Sequence, residues 1–126
     1  MNYIVFPIVN VALAGAAVLL ATVTAVAEQP DQASRTMIES QLKTQLSVPG
    51  SLSIMYVDAT KPNDKGLQTA CGWFIARGIG GEMQAPKAFA MSYFTSAQLA
   101  KIHSIGENTV QVQTIKAFCN ELGIDF

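Results

Sequence analysis

Two cysteines, Cys71 and Cys119, and one histidine, His103, are the side chains best suited to chemistry in this 126-residue chain. An isolated cysteine pair makes a redox centre, a metal site or a disulfide. Redox dithiols favour C-x-x-C spacing, and metals need further thiolate or imidazole ligands, so a separation of 48 residues with one histidine available serves neither. The pair reads as a structural disulfide, worth about 4 kcal/mol on the chain-entropy estimate. His103 would have to act as base for a nucleophile held by a third group; beside Ile102 in a predicted short amphipathic helix it reads instead as a surface or helix-terminal histidine. The loop acids Asp58, Asp64 and Glu82 show no spacing that selects a catalytic pair, and Glu82 reads as a solvated turn residue. Met37, Met55, Met83 and Met91 with His103 are the raw material of a soft copper site, but they are dispersed, and Met37 and Met91 fall at core-facing positions. Gly78, Gly80 and Gly81 lack the lysine and the strand-to-helix setting of a phosphate loop and read as a structural turn. No catalytic residue, metal or cofactor is expected.

Aromatic residues offer a different kind of site. Trp73 and Phe74 point to opposite faces of one predicted strand, and Tyr93 and Phe94 do so on another. If one face is core, the other presents large rings, so these four residues are candidates for docking a protein partner. The formal charge of −1 gives no electrostatic reason to expect nucleic acid.

The elements that must hold these residues follow from periodicity. Residues 1 to 27 carry no charged side chain and close on Ala25-Val26-Ala27, with small residues at the −3 and −1 positions of a signal-peptidase site. The segment reads as a cleaved signal peptide; its length and the lack of a basic start keep an N-terminal transmembrane anchor as the alternative. In both readings the membrane is met only through this segment, and residues 28–126 form one extracytoplasmic domain, where a disulfide is at home. No cysteine stands near the cleavage site to carry a lipid.

Ile38, Leu42 and Leu46 recur at four-residue spacing, with Ser34 or Asp31 as cap and Pro49-Gly50 as stop, which predicts a helix. Ser51–Val57, Leu67–Ala76 and Ala88–Phe94 read as three strands of an antiparallel meander, the first two joined by the polar loop 58–66. From Ser96, the spacing of Leu99, Ile102 and Ile105 predicts a second helix ending at Gly106. Val112, Ile115, Cys119 and Leu122 predict a last helix, although Thr109–Gln113 also alternates like a strand. The expected fold is α+β: a three-stranded antiparallel sheet packed by an N-terminal helix and C-terminal helices, stapled by one disulfide.

Leu46-Ser-Val-Pro49-Gly-Ser51, followed by Cys71-Gly72 and then Gly80-Gly81, resembles small exported proteobacterial proteins and lipoproteins of unknown function. In those, an L-x-x-P-x-S segment precedes a strand reading C-G-x-V-N-A-K-N and a Gly-Gly pair. Ile75 and Gly78 stand here where that pattern has asparagines. The resemblance implies an exported, disulfide-linked α+β module and brings no activity with it. The sequence thus leads to a non-enzymatic, periplasmic or secreted interaction module, or an accessory subunit of an inner-membrane complex. The alternative is a small secreted enzyme or enzyme inhibitor with a polar pocket at the Gly78–Gly81 turn.

Overall fold

A computed structural model describes residues 27–126. Apart from Ala27, the apolar segment read as signal peptide or anchor lies outside the described residues. Among these, no helix is long and apolar enough to cross a membrane.

The N-terminal helix α1, Gln32–Lys43, starts where the Asp31 carboxylate accepts the Ser34 N–H at 2.8 Å. That cap satisfies one of the amides left open at a helix start. Hydrogen bonding to the charged form holds the Asp31 carboxyl below its usual range. Ile38 and Leu42 are buried from α1, and Met37 and Leu46 pack beside them. A short 3-10 turn, Pro49–Ser51, leads into the sheet. Its Ser51 hydroxyl donates to the Val48 carbonyl and accepts the Arg77 N–H, so the Leu46–Ser51 segment is tied to the chain just beyond the Cys71-Gly72 strand.

The sheet has four strands, not three: β1 (Ser53–Ala59), β2 (Leu67–Ile75), β3 (Lys87–Phe94) and β4 (Leu99–Ile105), antiparallel in the order β1-β2-β3-β4. The fourth replaces the helix expected from Ser96. After a tight turn in which Gln98 takes a positive φ of 53°, the chain folds back along β3, pairing Leu99 with Phe94 and Ile105 with Phe89. A bulge sets two β4 residues, His103 and Ser104, against Ala90. Ile102 and Ile105 consequently share one face at a spacing of three, which in sequence is indistinguishable from one side of a helix.

A second bulge at Met55 shifts β1 against β2 between Ile54 and Tyr56. Beside it the two backbones are so close that a Cβ on Gly72 would collide with the Tyr56 carbonyl oxygen, so only glycine serves there. Gly78–Gly81 makes the expected turn: the Gly78 N–H donates to the Glu82 carbonyl, and Gly81 adopts a φ of +85°. Glu82 is an exposed residue of this turn, as expected, with its carboxylate beside Gly78.

The last helix, α2 (Thr109–Glu121), begins on the Asn108 side chain, which accepts the Gln111 N–H at 2.9 Å; the ambiguous stretch 109–113 is therefore helical. The two helices cover opposite faces of the sheet. Under α1 lie Phe74, Phe89, Met91 and Tyr93, all at most 2% exposed, with Val57, Ala59 and Ala70. Under α2 lie Ile115 and Cys119 on the small side chains of Cys71, Ala88 and Ala90, with Ile124 closing the end. Cys71 on the interior strand β2 is disulfide-bonded to Cys119 on α2, Cα to Cα 6.3 Å, as expected. The Lys87–Glu107 pair, 3.0 Å, joins the start of β3 to the loop before α2; at the surface it contributes at most about 1 kcal/mol.

Candidate functional site

The site is built on the face beneath α2, from residues too small to fill it. Along β3 the side chains alternate by size: Phe89, Met91 and Tyr93 point to α1, while Ala88, Ala90 and Ser92 point to α2. Thr69 on β2 pairs directly with Ser92, and the β4 bulge turns His103 and Ser104 to the same face. A helix resting on this floor cannot close down everywhere. It leaves a half-open groove of about 540 Å³ roofed by Thr114, Ile115, Phe118 and Leu122, with Leu67 and Ala90 among its walls.

The groove lining is mostly apolar, but a polar row crosses its floor between Leu67 and Ala90. There the Thr69 and Ser92 hydroxyls lie 3.0 Å apart, and Ser92 Oγ is 2.7 Å from His103 Nε2. The His103 ring meets Phe118 edge to face at 5.9 Å. Three adjacent strands therefore contribute one residue each to a hydrogen-bonded row, Thr69–Ser92–His103, and α2 lays an aromatic ring over its end. The Cys71–Cys119 bridge pins α2 one turn beyond Ile115, so the disulfide also sets the height of the roof.

A serine within hydrogen-bond reach of an imidazole is half of a nucleophilic dyad. The other half requires a carboxylate or carbonyl to fix the imidazole and donors for a developing oxyanion. Among the described residues, His103 hydrogen-bonds only to Ser92, and the N-terminus of α2 is occupied by its own Asn108 cap. What remains is a row that can donate to, or accept from, a single polar atom of a ligand whose remainder is hydrocarbon.

Phe74 and Tyr93, expected as partner-binding rings, are instead core residues, because α1 covers the face they point to. Burial pushes the Tyr93 phenol up in pKa. Trp73 and Phe94 are half-buried on the other face. Trp73 stacks on Phe126 at 5.6 Å, and Phe94 lines a depression of about 140 Å³ that shares Ser92 with the groove. Near Trp73 the Tyr56 hydroxyl donates to the Asp58 carboxylate and lies 3.1 Å from the Asp125 carbonyl, so the tail is latched to β1; the Asp58 bond is the main cause that pushes the Tyr56 phenol up to about 12. The Gly78–Gly81 turn forms an exposed arm with Ile79 at its tip.

Among the described residues no three His, Cys, Asp or Glu side chains come together as a metal set. The methionines do not gather either: Met91 is buried, Met37 packs on the α1 core, and Met55 and Met83 are exposed. The sequence reading missed Thr69 and Ser92 and placed His103 on a helix. The readable signal was the small–large alternation of Ala88 to Tyr93, which marks one sheet face as underfilled. No protein-family model matches the chain, and no curated protein or solved structure matches it.

Proposed function

We propose that this protein is a non-enzymatic binding module, exported from the cytoplasm, whose working surface is the groove between α2 and the sheet. The observation that carries this reading is the groove itself: about 540 Å³, walled by Leu67, Ala90, Ile115, Phe118 and Leu122, with one hydrogen-bonded row on its floor. Small-ligand sites have this volume and this mixture of apolar wall and few placed polar groups. Export is supported by the uncharged segment before Glu28 and by the use of both cysteines in one disulfide. The protein partner expected from the sequence, including a membrane complex to which the module would be accessory, would meet it at the exposed rim formed by Phe118 and Leu122.

Titration with an uncharged apolar fluorophore, N-phenyl-1-naphthylamine, tests the groove. One saturable site is expected, and it should vanish in Thr114→Phe, which fills the space from the exposed roof. Binding that never saturates, or that survives Thr114→Phe in a folded protein, overturns the reading. Export is tested by intact mass on fractionated cells: a soluble species beginning at Glu28, two mass units lighter than its dithiol form, is expected. Free thiols in the isolated protein would oppose it.

The second reading, a small secreted hydrolase, is favoured by the 2.7 Å Ser92–His103 contact alone. A fluorophosphonate probe distinguishes the two. The binding module leaves Ser92 unlabelled, whereas labelling abolished by Ser92→Ala and by His103→Gln would establish the enzyme.

A further inference from the structure

The polar row of the groove adjoins a charge that narrows its occupant. Lys101 is the direct cross-strand partner of Ser92, so both residues belong to the α2 face of the sheet. Together they line the shallow depression in which Phe94 and Leu99 continue the apolar surface beyond the groove. The β4 bulge adds His103, bonded to Ser92. An imidazole and two hydroxyls thus line the groove floor with the exposed Lys101 on the adjoining depression, and neither the groove nor the depression has an aspartate or glutamate in its lining. A cationic head group would face Lys101 with no counter-charge. A neutral one would leave the lysine unused.

We propose that the groove takes a free fatty acid: a single acyl chain along Ala90, Ile115, Phe118 and Leu122, with its carboxylate at Ser92, His103 and Lys101. This rests on the reading of the groove as a ligand site. With its proton on Nε2, His103 donates to Ser92, which frees the serine hydroxyl hydrogen for a carboxylate oxygen. Thr69 holds the serine from the other side. Hydrogen bonds to an ionised acceptor are about twice as strong as neutral ones, which is where discrimination between acid and alcohol arises.

The test uses the full chain produced in a host that exports and oxidises it, titrated calorimetrically with dodecanoate, dodecanol and dodecyltrimethylammonium below their micelle concentrations. Dodecanoate should bind one to one, about tenfold tighter than dodecanol, with the cation weakest. In a Lys101→Gln/His103→Gln variant, whose two sites are both exposed, the preference for dodecanoate over dodecanol should disappear. Equal affinities for acid and alcohol in the unaltered protein would overturn the head-group inference and leave the groove reading standing. No saturable binding of either would overturn both. A third arm separates the source of the anion: sedimentation with diacyl phosphatidylglycerol vesicles that depends on Lys101 and His103 would assign the charge to a lipid surface and overturn the free acid. The same sedimentation for both proteins supports the free acid.

Discussion

The two faces of the sheet are packed on different terms. The face under α1 is filled by large side chains: Phe74, Phe89, Met91 and Tyr93 from the strands meet Ile38 and Leu42 from the helix. The face under α2 is floored by Thr69, Cys71, Ala88, Ala90 and Ser92, and its helix is held by a covalent bond. Close packing stabilises through buried area and dispersion, so it leaves no room. A disulfide acts mainly by restricting the unfolded chain, so it can hold a helix over a surface that is not filled. The difference explains how a domain this small keeps a cavity: the division of labour lets one face supply stability and leaves the other unfilled.

The largest effect expected from breaking this comparison is at Phe89. Phe89→Ala empties a fully buried ring site under α1 and should cost about 3 to 5 kcal/mol by urea unfolding. A loss under about 1 kcal/mol would show that this face does not carry the fold. Next comes the covalent staple. Cys71→Ala/Cys119→Ala should lose about 2 to 4 kcal/mol, and hydrogen exchange should accelerate in α2 more than in α1. Equal acceleration in both helices would remove the distinction drawn here.

A smaller effect separates the helices by charge. α1 is capped by a carboxylate and α2 by an amide. The folded-state pKa of Asp31 lies below its usual value near 3.8, so its contribution is fully present above that value and is lost as pH falls through the lowered one. Amides in the first turn of α1 should therefore lose protection in acid while those of α2 keep theirs. Loss in both helices together would mean global unfolding, not cap titration. The smallest effect is on the open face: Thr114→Leu adds an apolar group to the exposed roof and should change stability by no more than about 0.5 kcal/mol. A cost of several kcal/mol would mean that α2 has no spare space beneath it.

Much of the well-packed half was legible in sequence. Ile38 and Leu42 at helical spacing, the Asp31 cap, strands bounded by turn residues and a lone cysteine pair are local or pairwise signals, and the first helix, the three predicted strands and the disulfide are in place. The fourth strand was hidden because the His103–Ser104 bulge restores a spacing of three to Ile102 and Ile105. The bulge is imposed by pairing with β3, a tertiary cause that hydrophobic periodicity does not encode. The groove was harder still, since it depends on bulk that is missing from Thr69, Ala90 and Ser92 on two strands. The aromatic reading failed at Phe74 and Tyr93 for a related reason: alternation shows that two rings diverge, but not that a helix covers each side.

The paired bulges on β1 and β4 have a consequence for how copies of this protein behave in a crowded solution. Both outer strands of the sheet are interrupted in mid-course, and β1 is further occupied where Glu28 bridges Ala59. A straight, regular border of free amides and carbonyls is what invites strands from neighbouring molecules to add on and grow fibres. Here each border is kinked, so the sheet ends with the molecule and stacking edge to edge finds no regular template.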